Sequence, residues 1–147
     1  MSAIKKAAIP ALIIIFLLST GVTAQEVSME GSASYWGGEY WVGLSAKCAL
    51  TDNITARGSF YYRTNGNSYY RGKADVLYAF KATGSFDSYV GVGAGYSSSH
   101  GTNFDLTCGA KITSGKNAGL SGEAVYTIFL NEAYDNSFGF NLGFFVH

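Results

Sequence analysis

The chain has 147 residues, a length that suits one domain, and 48% of them are hydrophobic while only 14% are charged. Ten basic residues balance ten acidic ones, so the sequence predicts neither a nucleic-acid-binding surface nor an acidic tail. Nineteen glycines with a single proline exclude collagen-like and proline-rich disordered chains, and favour a densely packed all-β protein or a membrane protein.

Residues 1–24 have the three parts of a cleaved secretory signal peptide. Two lysines precede an apolar run, and small residues follow at the usual cleavage positions. The apolar run has 12 residues and contains Pro10, whereas a membrane-spanning helix needs about 20 residues. We therefore predict a signal peptide over 1–24 and one mature domain over 25–147, with eight basic and ten acidic residues.

The mature sequence alternates apolar and polar residues with a period of two, and short groups of turn residues interrupt it. The predicted strands are 27–36, 39–50, 54–64, 69–80, 88–97, 103–113, 119–130 and 137–146. The connections are too short for parallel crossovers, so consecutive strands must be antiparallel. Because closing such a meander removes its unpaired edges, we predict an all-β fold, an eight-stranded up-and-down β-barrel with short loops.

The charged residues of the predicted strands share one alternating frame, and the other frame is apolar. The charged frame contains Glu30, Glu39, Lys47, Arg57, Arg63, Arg71, Lys73, Asp75, Asp105, Lys111 and Glu123. The remaining mature charges, among them Asp87, are assigned to the N-terminus or to turns. We predict that the charged frame lines the barrel lumen as a network of ion pairs and hydrogen bonds.

The apolar frame carries aromatic rings near the strand ends and smaller apolar residues between them. The predicted aromatic girdle consists of Tyr35, Tyr40, Tyr62, Tyr70, Tyr78, Phe80, Tyr96, Phe104, Phe138 and Phe144. Amphipathic rings favour membrane–water interfaces, and strands of 10 to 12 residues suit a tilted crossing of the hydrocarbon layer. The pattern favours a transmembrane barrel with a polar interior, although a soluble eight-stranded ligand carrier with an apolar cavity would show the same alternation.

The orientation of the two frames follows from the cost of placing charge in lipid. Lys47, Arg57, Lys73 and Lys111 lie away from the strand ends. Facing lipid near the midplane, each would cost about 2–4 kcal/mol. In a membrane-spanning barrel these side chains must therefore point inward.

Three segments carry a resemblance to a known family: the turn at 50–54 (Leu-Thr-Asp-Asn-Ile), the glycine-rich strand at 89–96 and the aromatic strand at 138–146. In these the mature chain resembles the small eight-stranded outer-membrane barrels of the OmpX and opacity-protein type. Members of that family usually end on an outward-facing aromatic residue, whereas here His147 ends the chain in the inward frame.

The resemblance implies a location in the bacterial outer membrane, with both termini in the periplasm. It also implies contacts with outer-membrane lipid and lipopolysaccharide, with the outer-membrane assembly machinery, and at the cell surface with a host surface or an extracellular ligand.

The function depends on whether the lumen is filled. An eight-stranded barrel is only wide enough for side chains to fill it, which favours a plugged interior. The inward residues Gly91, Gly93 and Gly95 leave space that arginine side chains or water could occupy, so a narrow porin for small solutes is an alternative. We expect a non-enzymatic protein with a structural or surface-interaction role.

One loop contains residues typical of hydrolases. His100 follows three serines and precedes Asp105, and some outer-membrane barrels are lipid A acyl-modifying enzymes. The deacylases among them have a His-x-Ser motif at the outer rim, whereas Thr102 stands at that position here. A histidine beside serines is also a common loop composition, so an acyl-modifying enzyme is an alternative only.

The sequence predicts no cofactor and no metal site, because only two histidines are present and one is terminal. Cys48 and Cys108 fall on the second and sixth predicted strands, about 16 Å apart across the barrel and beyond the roughly 7 Å limit for a disulfide. We expect both thiols to be free.

Overall fold

Eight antiparallel strands follow one another along the chain in the computed structural model, which describes residues 26–81, 85–115 and 117–146. The strands are β1 Glu26–Trp36, β2 Glu39–Ala49, β3 Ile54–Arg63, β4 Tyr70–Lys81, β5 Phe86–Ser97, β6 Gly101–Ser114, β7 Ala118–Phe129 and β8 Ser137–Val146. The predicted signal peptide and His147 lie outside the described residues. No helix in the described part of the chain is long and apolar enough to span a membrane.

Each strand pairs with the next one, and β1 also pairs with β8, so the sheet closes into a barrel. Closure satisfies the backbone donors and acceptors that an open edge would leave without partners. The turn at 37–38 is the shortest connection, and both of its glycines have positive φ, which suits a tight hairpin between twisted strands. The predicted all-β, eight-stranded up-and-down barrel is confirmed.

The barrel has two distinct ends. The distal end carries the connections 37–38, 64–69, 98–100 and 130–136. The terminal end is where β1 begins and β8 ends.

Strands β5 and β6 are longer than the sequence predicts. β5 begins at Phe86, two residues before the predicted start, and β6 begins at Gly101. The extension places Asp87 inside a strand, directly opposite Lys111. The sequence pattern suggested a turn because Ser and Asp are frequent turn formers, but cross-strand pairing overrides that preference here.

The apolar side of the sheet faces outward. Leu142 is 72% exposed and Leu44 is 64% exposed, whereas Arg57 on the inward side is 1% exposed. The polar interior predicted for the barrel is confirmed, and the alternative of a soluble carrier with an apolar cavity is wrong. A closed sheet has only two faces, and the charged frame occupies the inner one.

Inward glycines make room for large side chains on neighbouring strands. A Cβ on Gly93 would collide with the carboxylate of Asp75 and lie 2.6 Å from the Ala74 carbonyl oxygen. A Cβ on Gly139 would lie 2.6 Å from the Trp36 ring. The lumen is therefore filled by pairing a bulky residue on one strand with a glycine opposite it.

We expect Gly93→Ala to destabilise the barrel by about 1–3 kcal/mol, because the added methyl meets the carboxylate and backbone that already fill its place. Gly122→Ala is the matched control, since its Cβ meets only Leu142 at 3.8 Å. Alanine there should leave the free energy of unfolding unchanged or raise it by about 0.5–1 kcal/mol. Urea unfolding in detergent micelles measures both, and equal midpoints for the two variants would contradict the packing described here.

Candidate functional site in the barrel lumen

Arg57 is the centre of the ion-pair network. Its guanidinium contacts Asp75, its cross-strand neighbour on β4, with Nη2 and Oδ2 2.8 Å apart. It also pairs with Glu123, which reaches in from β7 on the far wall of the barrel. Arg57 therefore links opposite sides of the lumen through two charge-assisted contacts.

The Glu123 carboxylate is fully engaged. The Tyr89 hydroxyl donates to Oε1 at 2.7 Å, and the Asn141 amide donates to Oε2 at 3.0 Å, in addition to the pair with Arg57. A buried ion pair is stable only when its remaining lone pairs are also satisfied. The contacts of Tyr89 and Asn141 meet that requirement.

A second cluster surrounds Asp105. Arg71 Nη2 lies 2.6 Å from Asp105 Oδ1, and the Thr127 hydroxyl donates to the same oxygen at 2.7 Å. The ammonium of Lys73 lies 3.2 Å from Asp75 and 3.9 Å from Asp105. Lys73 thus connects this cluster to the Arg57 cluster, and the two form one network.

Nearer the terminal end, Glu30 makes a third cluster. Lys47 Nζ lies 2.6 Å from Glu30 Oε2, and the Ser121 hydroxyl donates to the same oxygen at 2.7 Å. Glu30 and Ser121 are buried, and the Lys47 side chain is nearly so. The cluster ties β1, β2 and β7 together inside the lumen.

Two further ion pairs lie at the rims of the barrel. Arg63 and Glu39 are 2.5 Å apart at the distal end, and Lys111 and Asp87 are 3.5 Å apart at the terminal end. Of the eleven charged residues predicted to line the lumen, the structure places Glu39, Arg63 and Lys111 at the rims and the other eight in the interior.

An aromatic cluster fills the lumen toward the distal end, and the sequence interpretation missed it. Trp36, Trp41 and Tyr61 are buried together, with Phe129 packed against them. The Arg71 guanidinium lies over the Trp36 ring, 4.3 Å from its centroid. The sequence could have predicted this cluster, because both tryptophans fall in the same alternating frame as the lumen charges.

Between the aromatic cluster and the ion-pair network lies a cavity of about 20 Å³. Both tryptophans line it, together with Ser34, Arg71 and Lys73. About 10–15 Å³ is enough for one water-sized particle. Leu77, Asp75 and Lys73 occupy the space beside the inward glycines 91, 93 and 95. The sequence alone had left that space open to arginine side chains or water.

His100 lies in the short connection between β5 and β6, at the distal end. Its Nδ1 is 2.6 Å from the Ser99 hydroxyl, and its ring packs against Phe129 and Tyr134 at centroid distances of 5.1 and 4.6 Å. Burial lowers the pKa of His100 below its ordinary value, which keeps the imidazole neutral at pH 7.

Asp105, the carboxylate that the sequence grouped with His100, does not form a triad with it. Asp105 is held inside the lumen by Arg71 and Thr127, and the Ser99–His100 pair lies in the loop above it. In a triad, the third residue orients the base and stabilises its protonated form. Asp105 is therefore close to His100 in sequence, but the fold places the two side chains in different surroundings.

The predicted girdle residues all face outward, in two sets. Tyr35, Tyr40, Tyr62, Tyr70, Tyr96, Phe104 and Phe138 lie toward the distal end, and Tyr78, Phe80 and Phe144 toward the terminal end. Tyr70 and Tyr96 are half-buried, and the others are exposed. Neighbouring rings touch, as in the Tyr35–Tyr40 and Tyr78–Phe80 pairs, whose centroids are 5.1 Å apart.

The two cysteines are free thiols, with Cys48 half-buried and Cys108 exposed on the outer face. In the described residues no group of three or more His, Cys, Asp or Glu side chains could hold a metal ion.

We expect Arg57→Met to lower the free energy of unfolding by about 3–5 kcal/mol, because it leaves Asp75 and Glu123 buried without their shared cation. Arg63→Met removes the same charge from the rim and should cost about 1 kcal/mol or less. Urea titration of both variants in detergent provides the comparison. A loss of stability as large at the rim as at the centre would contradict the central role of Arg57.

No family model matches the chain, and no curated protein is similar to it in sequence. Solved structures do share its fold. The N-terminal β-barrel domain of Pseudomonas aeruginosa OprF superposes with a TM-score of 0.72 at 18% identity, covering 82% of this chain and 95% of that one.

A de novo designed transmembrane β-barrel gives a TM-score of 0.67 at 14% identity, covering 82% of this chain and 92% of the design. The outer membrane enzyme PagL gives 0.61 at 16% identity, covering 82% and 99%. At these identities the likeness concerns the fold alone. It confirms the resemblance to small eight-stranded outer-membrane barrels at the level of architecture.

Proposed function

We propose that the mature chain is an integral barrel of the bacterial outer membrane, with a closed lumen and a structural or surface-interaction role. One observation carries this proposal: the outer face is an apolar belt, while the charged strand residues whose side chains the structure describes lie inside or at the rims. Water-soluble monomers rarely expose apolar patches of more than a few hundred Å². A lipid bilayer is the environment in which such a belt is favourable.

The dimensions support a membrane-spanning barrel. The strands have 10 to 14 residues, against about 9–11 residues for a tilted crossing of the hydrocarbon core. Rings lie toward both ends of the belt, where tyrosine hydroxyls can reach the headgroups. A signal peptide over residues 1–24 would provide the export that this location requires.

A closed lumen fits a role other than transport. Arg57 crosses the interior, and the aromatic cluster of Trp36, Trp41 and Tyr61 covers the network toward the distal end. A cavity of about 20 Å³ between them leaves no room for a hydrated solute.

A non-catalytic role also fits the distal loop. Serine and histidine are within hydrogen-bonding distance there, but Asp105 is bound by Arg71 rather than oriented toward His100. PagL shows that an enzyme can have this fold. For this chain the position of Asp105 argues against a Ser99–His100–Asp105 triad.

Surface interactions would use the distal connections. Residues 65–68 and 131–136 are exposed, and the second segment presents Glu132, Tyr134 and Asp135. A stable protein interface buries about 800 Å² on each partner, which is large for loops of this length. We therefore favour contacts with lipopolysaccharide headgroups or an extended surface ligand, and assembly contacts through the apolar strand β8.

A charge placed in the apolar belt tests the membrane location. We expect Leu44→Arg, in the middle of β2, to cost about 2–4 kcal/mol in lipid bilayers and to reduce the folded fraction on unheated gels. Asn67→Arg, at the exposed distal end, is the control and should fold normally. A soluble protein would tolerate both changes equally, and that result would contradict the proposal.

Planar bilayer recordings test the closed lumen. We expect no reproducible single-channel steps from the purified, folded protein, because the ion pairs of Arg57, Arg71 and Lys73 fill the interior. Steps of uniform size that appear with folded but not heat-denatured protein would instead establish the narrow porin.

A further inference from the structure

The cavity in the lumen is lined by hydrogen-bond donors that have no acceptor. Trp41 Nε1, Arg71 Nε and the Ser34 hydroxyl are buried and have no hydrogen-bond partner in the described part of the chain. Buried donors in folded proteins nearly always have a partner. Tryptophan and arginine side-chain nitrogens can only donate, so a partner at this place must accept.

The register of the barrel brings these groups together. Ser34 on β1 stands directly opposite Trp41 on β2 and opposite Asn141 on β8. Arg71 enters from β4, held in place by Asp105 on one side and the Trp36 ring on the other. The donors are therefore positioned by paired strands and a buried ion pair, which makes the arrangement rigid.

The two charged side chains that line the cavity are both cations. Arg71 and Lys73 line it, and of the described residues that do so none carries a carboxylate. Asp75 and Asp105 contact these cations from outside the lining. Of the polar lining side chains only the Ser34 and Tyr61 hydroxyls and the Asn141 amide could accept a hydrogen bond from a water, whereas an anion only accepts, which is what Trp41 Nε1 and Arg71 Nε require of a partner.

We propose that this cavity binds one monatomic anion, a halide such as chloride. A volume of about 20 Å³ is close to that of a single water-sized particle, so the cavity suits one monatomic anion better than sulfate or another polyatomic anion. Bound there, the anion accepts hydrogen bonds from Trp41, Ser34 and Arg71 and joins the aromatic cluster to the ion-pair network. The bound anion adds to the proposed function, in which side chains alone close the lumen, because an ion taken up from the medium then also fills part of the lumen.

Tryptophan fluorescence provides a direct test. The chain has two tryptophans, Trp36 and Trp41, and both line the cavity. The folded protein in detergent is titrated with sodium bromide at constant ionic strength, maintained with sodium sulfate. We expect saturable quenching by bromide that added chloride reverses. Quenching that rises linearly with bromide and ignores chloride would mean collisions from bulk solvent, and would overturn the proposal in favour of a water.

Two serine variants locate the site. Ser34→Ala removes one donor and should weaken bromide binding about tenfold. Ser28→Ala is the matched control, a buried serine on the same face of the same strand that does not line the cavity, and it should bind bromide as the parent does. Unheated gels establish that both variants are folded. Equal effects of the two changes, or no effect of Ser34→Ala, would overturn the proposal.

Discussion

Enclosing charge in a narrow lumen is the constraint on which the rest of the structure depends. Removing a carboxylate or a guanidinium from water costs several kcal/mol unless an opposite charge and further hydrogen bonds replace the solvent. The interior meets this condition by linking charges across the barrel, with Arg57 between Asp75 and Glu123 and Lys73 between Asp75 and Asp105. Strand register, glycine positions and the outer apolar face are all consistent with this requirement.

Register matters because the side-chain period of a strand is two. A slip of one residue in β3 would move Arg57 to the outer face and an apolar neighbour into the lumen. The partners of Arg57 are on β4 and β7, so a slipped β3 would also leave Glu123 without its ion-pair partner and Asp75 with Lys73 alone. The glycines also constrain the register. The Trp36 ring fits only opposite a residue without a Cβ, and Gly139 is its cross-strand neighbour on β8.

The periodicity of the sequence, together with the cost of placing charge in lipid, was sufficient to predict the barrel, its strand order and the inward direction of the eleven charges in the predicted strands. It could not predict partners, because Glu123 meets Arg57 across the lumen, between strands that are not neighbours. It also misplaced Asp87, whose assignment to a turn rested on residue type, while the actual strand end depends on pairing with β6. Trp36 and Trp41 were missed because the prediction of the lumen network considered mainly the charged residues of the inward frame.

The shared fold explains little about the choice of lumen residues. A designed transmembrane barrel has the same architecture, so the fold itself does not specify a function. Replacing buried ion pairs by apolar residues is often neutral or stabilising in proteins, so stability alone does not account for eight interior charges either. In a barrel whose outer face is apolar, however, an apolar lumen would make the two faces of every strand alike. Charges such as Lys47, Arg57 and Lys73 therefore distinguish the inside of the sheet from the outside, and the ion-pair network gives the barrel one register and one orientation of each strand.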